Sequence, residues 1–360
     1  MNRSDDVLLR DFKPKIMLKR EMHVHERGRY PVIDAHNHLF KETDPREMIE
    51  VMDEVGVRIF VNVTGNTSFT FIESGYTYFP RELGVFIDRY MAPYPDRFRC
   101  FTMSDFAGCQ DGMLMTDDRF AERAAKHLEE DIRLGASGLK VTKELGMRFR
   151  DYRGSLIPVD DSRLAPLWEK AGELKVPVLI HTSDPAAFFL PTDRYNEHYL
   201  TLVKAPDWSA YGAQYSKEEL LEQREQLVSR HHRTTFICPH VANYAEDLGS
   251  VAAFLDRNPN VYVDISARID ELGRQPYSAR DFLIRYQDRV LFGTDMPVRA
   301  RVYRSYFRFL QTRDEYFDYP DYVGVYGNSR WGIYGLDLPD EVLRKIYLLN
   351  ASRIIPGLNI

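Results

Sequence analysis

Eight short apolar runs rich in Val, Ile and Phe recur along this chain, each followed by a longer segment of helical periodicity. The predicted strands are Val32–His36, Arg58–Val63, Arg99–Ser104, Gly138–Thr142, Val176–His181, Thr235–His240, Val261–Ile265 and Val290–Thr294. The amphipathic segments between and after them run Pro45–Val55, Arg81–Met91, Asp117–Leu134, Ser162–Leu174, Lys217–Arg230, Tyr244–Arg257, Ala279–Tyr286 and Val302–Gln311. Near-continuous apolar strands belong in a parallel sheet covered on both faces. Eight strand–helix units in 360 residues predict an α/β protein, a (β/α)8 TIM barrel, rather than an open doubly wound sheet. The latter would usually carry a glycine-rich phosphate turn after its first strand, and none is present.

Two connections exceed a simple turn. Asn66–Pro80 follows the second strand, and Ser183–Tyr215, which contains Phe188, Phe189, Tyr195, Tyr199, Trp208 and Tyr211, follows the fifth. Both follow strands and so belong at the C-terminal mouth, where they are expected to form lids. Residues 1–29 read as an N-terminal extension and 30–360 as the barrel, with a tail helix at Pro339–Ser352.

The polar residues at the strand ends form a short list. Strand one ends in His36 and His38, which alternation points to one side. Strand four carries Lys140, strand five ends in His181, strand six in His240 and strand eight in Asp295. Imidazole and carboxylate side chains converging on one mouth point to a metal ion. Asp34 shares the face of the two histidines but lies deeper, where it would orient an imidazole or close a hydrogen bond inside the barrel. His23 and His25 repeat the His-x-His spacing ahead of the first strand, on the side away from the mouth. Lys143 and Arg268, and farther along Arg148, Arg150 and Arg274, are cations that fit an anionic substrate. Asn62, Thr64 and Asp105 end strands two and three and are candidates for the mouth.

This pattern resembles the amidohydrolase superfamily, and within it the amidohydrolase 2 group of lactonases and nonoxidative decarboxylases, over Val32 to about Ile354. By position, the resemblance implies that His36, His38, His181 and Asp295 bind one divalent ion, Zn²⁺ by default with Mn²⁺ as the alternative. His240 would transfer or orient a proton, or bind a second metal. Lys140 would contact substrate or, carboxylated, bridge two metals. The implied reaction is hydrolysis of a small, anionic lactone, cyclic amide or ester by a metal-activated water, with Asp295 as base and His240 polarising the carbonyl. Decarboxylation or hydration of a carboxylated substrate on the same site is the alternative; a non-catalytic metal-stabilised binding protein is a third reading. Arg268, Lys143 and Asn62 are the expected substrate contacts. A homo-oligomer is expected from the resemblance alone.

A net charge of −6 argues against a nucleic-acid partner. No apolar run is long enough to span a bilayer, and three widely spaced cysteines, Cys100, Cys109 and Cys238, fit a reducing compartment. The expectation is a cytoplasmic enzyme acting on a small molecule.

Overall fold

The computed structural model describes residues 7–8, 16–40, 42–109, 112–319 and 331–358. Among them, eight parallel strands make up the (β/α)8 barrel: β1 (Val32–Asn37), β2 (Val57–Asn62), β3 (Phe98–Cys100), β4 (Leu139–Val141), β5 (Val178–Ile180), β6 (Phe236–Cys238), β7 (Val261–Asp264) and β8 (Val290–Leu291). They lie in two sheets, β1-β2-β3 and β8-β7-β6-β5-β4. Single hydrogen bonds join the sheets at both seams. Thr102 N donates to Gly138 O at 2.9 Å and Lys140 N to Thr102 O at 2.7 Å beside β3 and β4. Ala35 N donates to Phe292 O and Asp295 N to His36 O, both at 2.9 Å, beside β8 and β1. Close approach at this second seam depends on Gly293, because a Cβ there would sit 2.8 Å from that of His36.

Each predicted strand and helix is present with its ends moved by a few residues. Strand β1 is buried along its whole length, its apolar Val32, Ile33 and Ala35 together with its polar Asp34, His36 and Asn37. The covering helices are α1 (Pro45–Val55), α2 (Leu83–Phe86, continuing as a π-helical turn Ile87–Met91), α3 (Phe120–Leu134), α4 (Ala165–Glu173), α5 (Lys217–Arg230), α6 (Leu248–Arg257), α7 (Pro276–Arg285) and α8 (Ala300–Gln311). Helix α1 shows why such segments start and stop where they do. Asp44 accepts from Arg46 N, Pro45 opens the first turn, Met48, Met52 and Val55 face the core, and Gly56 ends it at φ 81°. A reciprocal Ser216–Glu219 capping box starts α5.

The tail helix begins at Asp340 and packs on β8, where Phe292 N donates to Ile346 O at 3.0 Å. Within the tail, residues 320–330 and 359–360 lie outside the described residues. No helix among the described residues is long and apolar enough to cross a membrane.

Both long connections are ordered elements. Asn66–Pro80 holds an antiparallel hairpin, Thr67–Ile72 against Gly75–Pro80. Ser183–Tyr215 holds three short helical turns, Ala186–Phe189, Tyr199–Lys204 and Pro206–Trp208. They meet over the mouth: Ser74 Oγ donates to an Asp207 carboxylate oxygen, Asp207 N donates to Ser74 O at 3.2 Å, and Gly75 packs on Trp208.

Candidate metal centre at the barrel mouth

Three imidazoles converge on Asp295, and each has its Nδ1 committed elsewhere. His36 Nδ1 donates to Asp264 Oδ2 at 2.8 Å. His38 Nδ1 donates to Thr64 Oγ1 at 3.0 Å, whose hydroxyl donates onward to Asn62 Oδ1 at 3.3 Å. His240 Nδ1 donates to Ser266 O at 2.8 Å. This network places the protons on Nδ1, so each Nε2 presents a lone pair. His38 Nε2 lies 3.4 Å from Asp295 Oδ1 and His240 Nε2 lies 3.7 Å from Asp295 Oδ2. The Nε2 atoms of His36 and His240 are buried without a hydrogen-bond partner among the described residues. Ligand atoms of His36, His38 and Asp295 lie within 4.8 Å of one another, and so do those of His36, His240 and Asp264.

Burial and the nearby Lys140 ammonium push His38 and His181 well below the ordinary imidazole range. His240 is lowered in the same way by burial and by its neighbour His181. All three are therefore neutral, the form that binds metal. Burial raises the Asp295 carboxyl, against the pull of His36 and Lys140. Buried lone pairs with no donor facing them are costly in a metal-free protein and are what a cation would satisfy. The donor set fits a divalent ion.

Asp264 is the acidic residue that sequence reasoning missed. Burial works to raise its carboxyl, but His36, His240 and the Ser266 hydroxyl more than offset this and hold it well below the ordinary carboxylate range. Besides His36, it accepts from His240 N at 2.9 Å and Ser266 N at 3.1 Å. Its signal was an aspartate at the end of a buried strand, four residues before the Arg268 that drew attention instead.

Other candidates fall into three groups. His181 lines the pocket with its ring centroid 4.6 Å from that of His240, but its Nε2 faces Ser183 O at 3.1 Å, outside both three-residue clusters. Lys140, Lys143 and Arg268 also line the pocket. Lys143 is paired with Asp184 at 2.5 Å, and Arg268 donates to Ala267 O and Asn243 Oδ1. Lys140 is 1% exposed, and its ammonium forms neither a hydrogen bond nor an ion pair among the described residues; burial lowers it to about 8.

Asn62 is corrected. It does not face substrate space, because its side-chain oxygen is taken up by Leu39 N, Thr64 N and Thr64 Oγ1, which makes it the support for Thr64 and so for His38. Asp105 turns away to pair with His127. Asp34 accepts from Asn37, Thr294 and Tyr303, tying β1 to the residue before Asp295. Burial lifts its carboxyl to about 6. His23 pairs with Asp314, away from the mouth.

The walls of the pocket are aromatic. The hairpin lays Phe69 between His38 (centroids 4.5 Å apart, planes at 19°) and Tyr76 (5.0 Å, 21°). Tyr76 OH donates to the buried Glu144 at 2.7 Å. Trp208 from the second connection completes the enclosure around a cavity of about 60 Å³.

Paired histidines, an aspartate after strand eight and a buried orienting acid thus sit together at the C-terminal mouth of a (β/α)8 barrel, a donor set that a divalent ion would fit. Residues 33–356 match the family model described as Amidohydrolase, and the chain belongs to that family. Its fold is shared with an uncharacterised TIM-barrel protein from Bordetella bronchiseptica (15% identity, TM-score 0.53, 91% of this chain and 99% of that one). It is shared too with 2,6-dihydroxybenzoate decarboxylase from Rhizobium (15%, TM-score 0.51, 91% and 98%). A third similar structure is a dihydroxybenzoic acid decarboxylase from Polaromonas sp. JS666 with bound manganese and 2-nitroresorcinol (17%, TM-score 0.50, 88% and 86%). No curated protein matches the chain.

Proposed function

We propose that this chain is a metal-dependent hydrolase of a small, anionic carbonyl compound: a lactone, cyclic amide or ester. The observation that carries the proposal is the convergence of three imidazoles on Asp295, two of them with orphaned buried Nε2 atoms. His36, His38 and Asp295 would hold one divalent ion, with His181 on the adjacent wall as the fourth ligand. An imidazole-rich set suits Zn²⁺, and Mn²⁺ accepts the same donors. Such an ion supplies Lewis-acid polarisation and lowers the pKa of a water.

Proton movement falls to Asp295 and His240. With its Nδ1 proton spent on Ser266 O, His240 enters the cycle as an acceptor at Nε2 and becomes a donor only after taking a proton. Of the roles expected of it, this favours proton transfer over polarising the carbonyl. Asp295 takes the proton of the attacking water, and His240, 3.7 Å away, passes it to the leaving group. Lys140 is the pocket cation assigned to the substrate's negative charge, since Lys143 is already neutralised by Asp184 and Arg268 is engaged with Ala267 O and Asn243 Oδ1. A second ion bridged by carboxylated Lys140 is the alternative.

The aromatic slot of Phe69, Tyr76 and Trp208 supports a second reading, decarboxylation of a flat carboxylated substrate; two of the similar structures are dihydroxybenzoate decarboxylases. One panel separates the two, scoring ring-opening of lactones and CO₂ release from hydroxybenzoates. Metal content per chain is measured alongside. His36→Ala is expected to lose the ion and turnover on either panel, and Asp295→Asn to lower kcat at least 10²-fold. Full metal occupancy and full turnover in His36→Ala would sink the assignment.

A further inference from the structure

Helix α5 carries two buried cations with no carboxylate in direct contact among the described residues; the Glu246 and Asp184 carboxylates act on Lys217 only from beyond ion-pair distance. Lys217 and Arg224 stand two turns apart, on one face of the helix, and are 3% and 4% exposed. Neither forms an ion pair among the described residues. Both are aimed at backbone instead. Arg224 Nη1 donates to Ala242 O, with its guanidinium 4.3 Å over the Phe254 ring. Lys217 Nζ donates to Asn243 O at 2.5 Å and to Asp184 O at 2.6 Å.

The backbone they grip is strained. His240, Val241, Ala242 and Asn243 have φ of 58°, 53°, 54° and 51°: four successive left-handed residues, none of them glycine. L side chains disfavour this region, and β-branched Val241 most of all. Such a turn persists only where its surroundings over-determine it. Here His240 N is held by Asp264 Oδ1 at 2.9 Å, Asn243 Nδ2 donates to Thr182 O at 3.0 Å, and the last two carbonyls point at α5. Unpaired buried cations are costly, so their retention needs a compensating gain. Charge-assisted hydrogen bonds to the carbonyls of a strained turn provide one.

We propose that Lys217 and Arg224 are positioning residues that clamp the left-handed turn after β6 and thereby aim His240 Nε2 at the cluster around Asp295. The inference rests on reading that cluster as a metal site. Lys217 also reaches Asp184 at the root of the second lid, so one ammonium joins the lid to the turn.

The test uses the full chain stripped of metal, with Zn²⁺ dissociation constants from chelator competition, the visible spectrum of the Co²⁺ form, and Tm of the metal-free protein. Arg224→Met and Lys217→Met are expected to weaken Zn²⁺ binding by about 10–100-fold, the usual effect of losing outer support, and to shift the Co²⁺ bands. Leu220→Ala, a buried apolar change on the same helix, is expected to lower Tm and leave both metal readouts unmoved. Glycine adopts positive φ without penalty. Arg224→Met/Ala242→Gly is therefore expected to regain Zn²⁺ affinity to within about threefold, and Ala242→Gly to raise Tm more in the Arg224→Met background than in the native one. Wild-type affinity in Arg224→Met, or no recovery with glycine, would overturn the proposal. If Arg224→Met does not fold, the double variant must; its failure to fold also overturns it. Should the native chain bind no metal, the site reading fails, while the Tm comparison still decides whether the cations clamp the turn.

Discussion

Asp264 shows how one carboxylate can set the chemistry of two histidines. Its Oδ2 fixes the proton of His36 on Nδ1, and its Oδ1 anchors the backbone N–H of His240. Asp264→Asn keeps the shape but replaces one acceptor with an NH₂ that faces a donor. It is expected to weaken metal binding by about 10–100-fold in a protein that still folds, as chelator competition and circular dichroism would show; native affinity would remove Asp264 from the orienting role. The residues that converge at the mouth were legible, because His36, His38, His240 and Asp295 end strands whose burial is written in their apolar neighbours. Their supports were not. An aspartate or asparagine at a strand end looks the same whether it faces substrate, as expected of Asn62, or turns inward to hold Thr64. That choice depends on which donors lie across the barrel, and sequence spacing does not contain it. The tautomer of His240 was equally illegible, since it is set by the Ser266 carbonyl from another strand.

At the scale of elements, the eight strands and their helices were readable because period and burial agree along each segment. Sequence missed the hairpin Thr67–Ile72/Gly75–Pro80, although its alternation was visible; length alone had classed the segment as a loop. The left-handed turn was illegible, since His240-Val241-Ala242-Asn243 contains no glycine and its conformation is imposed by α5 and β7. Positive φ at Ser104, Ser183, Ala267 and Asp295 follows the same rule, each just past a strand on the mouth side. The two lids meet tightly, and the cavity of about 60 Å³ beneath them is small against the roughly 300–1,000 Å³ of ordinary ligand pockets. Substrate entry thus requires the lids to part. Gly75→Val places a branched side chain where a Cβ already lies 3.0 Å from Trp208 Nε1. It is expected to hold the lids apart, raising KM several-fold more than it changes kcat and speeding proteolysis within 183–215. Unchanged proteolysis would show that the contact does not keep the mouth shut.

For the whole molecule, the N-terminal extension is tied to the barrel at His23, which meets Asp314 through both its ring and its backbone N–H. Asp314 raises the His23 imidazole above its ordinary value by hydrogen bond and charge. A histidine raised in the folded state contributes stability that is fully present below about pH 6.5 and is lost as pH rises through the raised value. The His23 amide is therefore expected to be better protected from hydrogen exchange at pH 6 than at pH 8.5, after correction for the intrinsic rate, and His23→Ala should abolish the tethering. Equal protection at both values would mean that the neutral ring holds the extension as well.

The barrel's second seam has a consequence for how the chain comes together. Asp34 and Thr294, which hydrogen-bond across it, are 260 residues apart in sequence, so β1 must wait unpaired on that side until β8 exists. Joining such distant segments is entropically expensive and slow. His36 and His38 stand on one bank of this seam and Asp295 on the other. A single ion held between them would act as a reversible cross-link over a loop of about 260 residues, and its removal would loosen first the junction where the barrel's first strand meets its eighth.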